Sequence, residues 1–296
     1  MNTVFSNGLT YRETINKARE QKISIGHFNI SNLEALRGIV QAAVKLNVPV
    51  IIGVSEGERD FVGVKQTVAL VKAYREQYNN HPIFLNADHT YSFERVKEAI
   101  DAGFDSAIID GAKLPMDENI LIAKKAVEYA KKIRETTGRD VIIEGEIGYI
   151  GTSSKILDEI PDGVTVTSVE EAKSFVAATG IDMLAPAVGN VHGILRSGVN
   201  PALRIDLIKQ ISEAMNMPLV LHGASGISSA DLENASENGM TIVHYNTDLR
   251  IAFRDAVKNF LDKHPDEVAP YKILAPGVDA VQKVVEEKLK IMNRMN

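Results

Sequence analysis

The sequence predicts an α/β fold, a (β/α)8 TIM barrel with additional C-terminal helices, and three observations predict it. Eight short apolar runs alternate with longer amphipathic ones along the 296 residues. Most of the short runs are rich in valine and isoleucine and lack strict polar alternation, as strands buried on both faces of a parallel sheet do. Eight strands alternating with helices favour closure into a barrel over an open doubly wound sheet.

Taken in order, strands are expected at 23–29, 48–55, 82–89, 106–111, 141–148, 183–189, 218–223 and 241–247. The fourth run is short. Helices are expected at 33–46, 64–78, 93–102, 119–136, 168–179, 201–215 and 229–238, where apolar residues recur at three- and four-residue spacing. Asn32, Ser92, Ser168 and Ser228 or Ser229 precede helical runs and can accept from free N–H groups. Gly103, Gly138, Gly180 and Gly239 follow them, where a left-handed turn is cheapest for glycine. Two more helices, 249–263 and 278–292, come after the eighth strand, with Pro265, Pro270 and Pro276 punctuating the connection. No linker, low-complexity tract or short repeat divides the chain, so residues 1–296 are expected to form one domain.

Composition narrows the function. Hydrophobic residues at 45% and charged residues at 24% are ordinary for a globular protein. The absence of cysteine excludes a disulfide framework and a cysteine zinc site. A net charge of −6 without a basic run argues against nucleic acid as a partner, because phosphate neutralisation needs clustered cations. Residues 1–17 lack the apolar core of a signal peptide, and no stretch approaches the roughly 20 apolar residues that span a bilayer. A cytoplasmic protein with no membrane partner is expected.

In such a barrel the active site lies at the C-terminal ends of the strands. Those ends are polar here: Asp88-His89 after the third strand, Asp110 after the fourth, and Glu144-Gly145-Glu146 on the fifth. His192 follows the sixth, His222 ends the seventh, and His244-Tyr245-Asn246-Thr247 ends the eighth. Any one histidine alone could cap a strand or satisfy a loop carbonyl. Three of them, His89, His192 and His222, converge from distant segments and are flanked by small residues, which points to a catalytic metal. Neutral imidazoles leave a divalent ion strongly Lewis acidic. His27 also stands near a strand end and competes with them, whereas His81 and His264 read as surface loop residues.

Asp88 could exchange a proton with a substrate oxygen beside the ion, or orient a histidine. Glu146 is a further metal or substrate contact, and Glu144 is expected to point the other way. Gly223-Ala224-Ser225-Gly226 and Asn246-Thr247 lead into helices whose free N–H groups favour an anion, unless they are plain turns. Neither a Walker loop nor the dinucleotide glycine pattern is present.

Together these residues resemble the class II ketose-bisphosphate aldolases, a family that includes the fructose-bisphosphate and tagatose-bisphosphate aldolases. The resemblance runs through Gly26-His27-Phe28-Asn29, Ser55-Glu56-Gly57, Asp88-His89, Asp110-Gly111, Glu144 to Gly148, Gly189 to Gly193, Leu221 to Gly226 and Asn246 to Arg250. It implies Zn2+, or another divalent ion, on His89, His192 and His222, with Glu146 contacting a displaced metal. Asp88 is implied as acid/base at the aldehyde-derived oxygen. Gly193, Gly223, Ala224, Ser225, His244, Tyr245, Asn246 and Thr247 match positions that hold the dihydroxyacetone phosphate half. It also implies a sugar-phosphate substrate and a homodimer or homotetramer.

Three departures matter. The loop after Gly148 reads Gly151-Thr152-Ser153-Ser154-Lys155 in place of a Gly-Gly followed by acidic residues. The proton-abstracting glutamate is therefore not at its place, and Asp158 or Glu159 are the substitutes in reach. His244 stands where asparagine is usual, and Asn246 where many members have aspartate. Pro270-Tyr271-Lys272 replaces a Pro-Arg pair whose arginine holds the far phosphate from a neighbouring subunit, leaving Lys272 as a point charge. The reading is a fructose-bisphosphate aldolase-like enzyme. The alternatives are a tagatose-bisphosphate or other ketose-phosphate aldolase, a non-catalytic sugar-phosphate binder and a metal-dependent hydrolase.

Overall fold

The structure is a computed structural model that describes residues 5–151 and 154–295. Its strands are β1 (Ile25–Asn29), β2 (Val50–Val54), β3 (Ile83–Thr90), β4 (Ser106–Ile109), β5 (Ile142–Ile147), β6 (Ile156–Leu157), β7 (Met183–Pro186), β8 (Ile194–Leu195), β9 (Leu219–Leu221) and β10 (Met240–Tyr245). Eight of them close a parallel barrel in the order β1-β10-β9-β7-β5-β4-β3-β2, and β6 pairs with β8 in a separate two-stranded sheet above it. All eight expected barrel strands are there.

The helices are α1 (Tyr11–Glu20), α2 (Leu33–Leu46), α3 (Glu56–Val62), α4 (Val64–Gln77), α5 (Phe93–Ala102), α6 (Met116–Thr137), α7 (Val169–Thr179), α8 (Ile205–Met215), α9 (Ser229–Glu237), α10 (Thr247–Lys263) and α11 (Pro270–Met292). Asn32, Ser92, Ser168 and Ser228 each accept a backbone N–H at the start of the helix they precede. Gly103, Gly138 and Gly180 close α5, α6 and α7 in the left-handed conformation.

Two helices lie outside the expected pattern. Both α1 and α3 open on reciprocal capping boxes, Thr10 with Glu13 and Ser55 with Glu58. At the other end, α11 corrects the expectation of a proline-punctuated connection up to residue 278. Pro270 serves as its first helical residue, where the missing N–H costs nothing, and the helix runs on through Pro276.

Strand period explains the lumen. Ile25, Ile51, Phe84, Ile142, Met183, Val220 and Ile242 pack with Tyr11, Ile15 and Ala18 of α1, which closes the lower end of the barrel. Two residues further along the same strands stand His27, Gly53, Asn86, Glu144, Ala185, His222 and His244. The lumen therefore changes from apolar to polar within one pleat. Outside, a second cluster of buried apolar residues fills the layer between strands and helices.

Candidate active site

The polar end of the lumen is assembled by the ends of β1, β3, β5, β9 and β10 and by the loop after β7. At the end of β3 the backbone leaves the extended region: His89 has φ 31°, and the β3–β4 register shifts between Ala87 and Thr90. A non-glycine residue at positive φ is uncommon. Here it turns Asp88 and His89, neighbours on one strand, toward the same mouth. Asn190, in the loop after β7, donates from Nδ2 to the His222 carbonyl at 2.9 Å and so ties that loop to β9. Asn200 donates to the carbonyls of both Gly193 (2.8 Å) and Ser225 (2.7 Å), fixing the two glycine-bearing loops relative to each other.

His89, Glu146, His192 and His222 come together, each offering a ligand atom within 4.8 Å of the others. Donors around a tetrahedral ion with bonds near 2.1 Å stand about 3.4 Å apart, so side-chain rotations on the order of 1 Å close the group on one ion. Ring centroids are 4.8 Å apart for His89 and His192, 4.8 Å for His89 and His222, and 6.1 Å for His192 and His222. Two atoms of the group, His222 Nδ1 and Glu146 Oε2, are buried 3.3 Å apart with no hydrogen-bond partner among the described residues. Leaving such atoms unpaired is expensive, and a divalent ion would satisfy both. The residues fit a metal.

Supporting carboxylates orient the rings. His222 Nε2 lies 2.8 Å from Glu144 Oε1, and His89 Nδ1 lies 2.9 Å from Asp110 Oδ2. Glu144 was expected to point away. It points inward because β5 stays regular, so positions 144 and 146 share the lumen face. Burial alone would strip the proton from His222, but Glu146 and Glu144 outweigh it and hold the ring at about 10. His89 is raised for a similar reason: burial works against its charge, while Asp88 and Glu146 overcome it. Burial, reinforced by His89, pushes His192 down to about 3. Asp88 stays ionised, because His89 and the rings beside it overcome a burial that would raise it.

Asp88 Oδ2 accepts from Asn29 Nδ2 at 2.7 Å, and its Oδ1 has no partner among the described residues, with His244 Nδ1 3.5 Å away. His27 does not join the four-residue cluster. Its ring lies face to face with His244, centroids 3.4 Å apart and planes within 2°. Parallel imidazoles keep their lone pairs in parallel planes, so one ion cannot lie in line with both. Gly53 makes room for His27, since a Cβ there would come within 2.0 Å of its Cε1.

Above the cluster opens a cavity whose wall includes Asp88, His89, His192, Gly193, Gly223, Ser225, His244, Tyr245, Asn246 and Thr247. Gly223 has φ 63°, and a Cβ on it would meet the Val191 carbonyl at 2.3 Å. Only glycine fits there. Ala224 does not contribute as expected: its methyl is buried in the outer core, and its N–H is spent on the His244 carbonyl at 3.1 Å. The Tyr245 ring also turns outward, stacking 5.6 Å from Phe28.

Other expected residues are elsewhere. Asp158 pairs with Arg196 at 2.7 Å, and neither it nor Glu159 lines the cavity. Lys272 pairs with Glu267 at 2.9 Å, also away from it. Thr152 and Ser153 lie outside the described residues. His81 is buried, bonded to the Val48 carbonyl at 2.9 Å, and so is not a surface residue. Sequence reasoning missed Asn29, Asn200, Glu58 and Arg250 as parts of the mouth. Arg250 carried a signal, standing one helical turn beyond Asn246 on the same face.

A closed parallel barrel with an imidazole–carboxylate cluster at its mouth defines an enzyme built around a divalent ion. Comparison makes this specific. A family model described as fructose-bisphosphate aldolase class-II matches residues 9–296. The fructose-bisphosphate aldolase of Geobacillus stearothermophilus is 38% identical over 284 residues, covering 95% of this chain and 96% of that protein. A probable fructose-bisphosphate aldolase of Bacillus subtilis (strain 168) is 37% identical over 286 residues, covering 96% and 97%. The crystal structure of the YdjI aldolase from Escherichia coli K12 superposes with a TM-score of 0.79 at 28% identity, covering 95% of each chain. The chain belongs to the class-II fructose-bisphosphate aldolase family. It is an aldolase, a carbon–carbon lyase, of a metal-dependent class.

Proposed function

We propose that this chain catalyses the reversible, zinc-dependent aldol cleavage of a ketose phosphate to dihydroxyacetone phosphate and an aldehyde, with fructose 1,6-bisphosphate the first substrate to test. The observation that carries the reading is the four-residue cluster with its unpartnered His222 Nδ1 and Glu146 Oε2 beneath the cavity. His89, His192 and His222 would hold the ion, with Glu146 beside them. When bound, zinc supplies Lewis acidity that draws electron density from the substrate's carbonyl.

The chain's own residues do the rest. Asp88, held ionised and anchored by Asn29, takes the proton of the hydroxyl that becomes the aldehyde, receiving it at Oδ1 as the carbon–carbon bond breaks. The electron pair of that bond stays on the dihydroxyacetone phosphate carbon, which takes up a proton from solvent. On condensation Asp88 returns its proton. Backbone N–H groups of Gly193, Gly223 and Ser225, with the start of α10 at Asn246 and Thr247, receive the phosphate of the dihydroxyacetone half. His244, whose ring stacks flat on His27, donates to a substrate oxygen in this reading. The same reading treats the whole chain as one catalytic unit, in the cytoplasm, assembled as a homodimer or homotetramer. Among the described residues, no helix is long and apolar enough to cross a membrane.

Exhaustive chelation should abolish cleavage of fructose 1,6-bisphosphate in a coupled assay, and zinc or cobalt should restore it. Cleavage that persists without metal defeats the reading. Stereospecific exchange of a dihydroxyacetone phosphate proton with solvent separates an aldolase from a silent binder.

A further inference from the structure

We propose that Arg59 is a positioning residue for the reaction, one that holds the bend at the end of β3 and so presents Asp88 and His89 to the same mouth. The proposal rests on the reading above, in which His89 holds the ion and Asp88 accepts the proton. Arg59 lies in α3, directly after β2, and is 0% exposed. A charged side chain is rarely buried so fully unless it is paired. Here the donors go to backbone and a hydroxyl. Nη1 donates to the Val54 carbonyl at 2.6 Å and to the Asp88 carbonyl at 3.2 Å, and Nη2 donates to Thr90 Oγ1 at 3.1 Å. The desolvation cost of the guanidinium is thus offset mainly at one place, the end of β3.

That stretch of strand is irregular. The β2–β3 ladder ends at the pair Val54 and Ala87. Against β4, Ala87 pairs with Ala107 and Thr90 with Ile109, so β3 takes an extra residue between the two rungs. Such a bulge leaves ladder groups unpaired and re-aims the side chains beside it. His89 sits inside the bulge at φ 31°. A backbone conformation that uncommon persists only where its surroundings over-determine it. Arg59 does this from two sides. Its Nη1 bridges the Val54 and Asp88 carbonyls just beyond the last rung. Thr90 Oγ1, which accepts from Nη2, donates in turn to the Ala87 carbonyl at 3.2 Å.

The consequence is chemical. On a regular strand, residues 88 and 89 would face opposite sides of the sheet. One of them would leave the mouth, and the metal ligand and the proton acceptor would not meet on one substrate. Asp110 holds His89 Nδ1 at 2.9 Å and Asn29 holds Asp88 Oδ2 at 2.7 Å, but those contacts orient side chains. Arg59 fixes the backbone from which both side chains hang. The task suits arginine, because a planar fork of donors serves three acceptors at once where lysine offers a point charge.

The test compares the wild type with Arg59→Met, Arg59→Lys and Thr90→Val, the last removing the hydroxyl while keeping the buried charge. Zinc affinity is measured by competition with a chelator, and the visible spectrum of the cobalt-loaded protein reports the ligand geometry. Arg59→Met should weaken zinc about 10–100-fold, the scale for residues that orient a metal ligand, and shift the cobalt bands. Thr90→Val should move both in the same direction, and Arg59→Lys should recover part of the loss. With fructose 1,6-bisphosphate, kcat should fall while KM changes little, since the loops after β7 and β9 are untouched. Urea unfolding of each metal-free variant is read alongside. If Arg59→Met fails to fold, Thr90→Val and Arg59→Lys decide. Lower stability with zinc affinity and cobalt spectrum both at wild-type values makes Arg59 a structural residue only and overturns the proposal. A wild type that binds no cobalt removes the proposal together with the metal reading. One that binds cobalt but cleaves no ketose phosphate sinks the aldolase reading alone, and the spectra still decide Arg59.

Discussion

Glu144 fixes which face of His222 is free. With Nε2 bonded to Glu144, Nδ1 is left toward Glu146 at 3.3 Å, and both His222 and His89 are held protonated above the ordinary imidazole range. A metal takes only the neutral ring, so binding must expel those protons. Zinc titrated at about pH 7.5 in buffers of different ionisation enthalpy should release about two protons per chain, and affinity should rise with pH. Release of none would remove these rings from the site. The sign for the metal-free fold is opposite. The His222 pairing stabilises fully below 6.5 and is lost as pH rises through about 10. At this scale the sequence disclosed the histidines, because each ends or closely follows an apolar run. It did not disclose Glu144, whose direction depends on β5 remaining regular, or Ala224, whose N–H is consumed by a strand two segments later.

Elements were legible where their period is long. The seven helices expected between strands carry apolar stripes over two turns or more, and they are present. The helices α1 and α3 were missed although Thr10 to Glu13 and Ser55 to Glu58 spell capping boxes, a signal that apolar periodicity overlooks. The two-residue strands β6 and β8 leave no period to read. Packing of α11 on α2 is the least legible contact of all, because it rests on a residue without a side chain. A Cβ on Gly38 would come within 2.7 Å of the Val278 carbonyl and 3.1 Å of Gln282 N, both backbone atoms that cannot rotate away. Gly38→Ala should therefore push the helices apart and cost about 1–3 kcal/mol, despite alanine's better helix propensity. Thermal unfolding checks this, and a variant as stable as the parent would show that α11 can shift freely.

Across the whole molecule, one pleat separates the layer that holds the barrel together from the layer that reacts. Sequence counting foresaw the closure but not the floor, because α1 reaches the lumen from outside the alternating pattern. Tyr11 is the test of that floor. Its ring stacks 4.7 Å from Phe84 within the lower lumen, and its hydroxyl is buried without a hydrogen-bond partner among the described residues. Truncation opens a cavity that a closed barrel cannot collapse, so Tyr11→Ala should cost about 3–5 kcal/mol. Tyr11→Phe keeps the ring and removes only an unpaired polar atom, so its stability should match or exceed the parent's. Urea unfolding read as midpoint and slope distinguishes the two. Equal losses from both substitutions would mean the hydroxyl, not the ring, secures the helix, and the apolar floor would then be a poor account of how the barrel is closed.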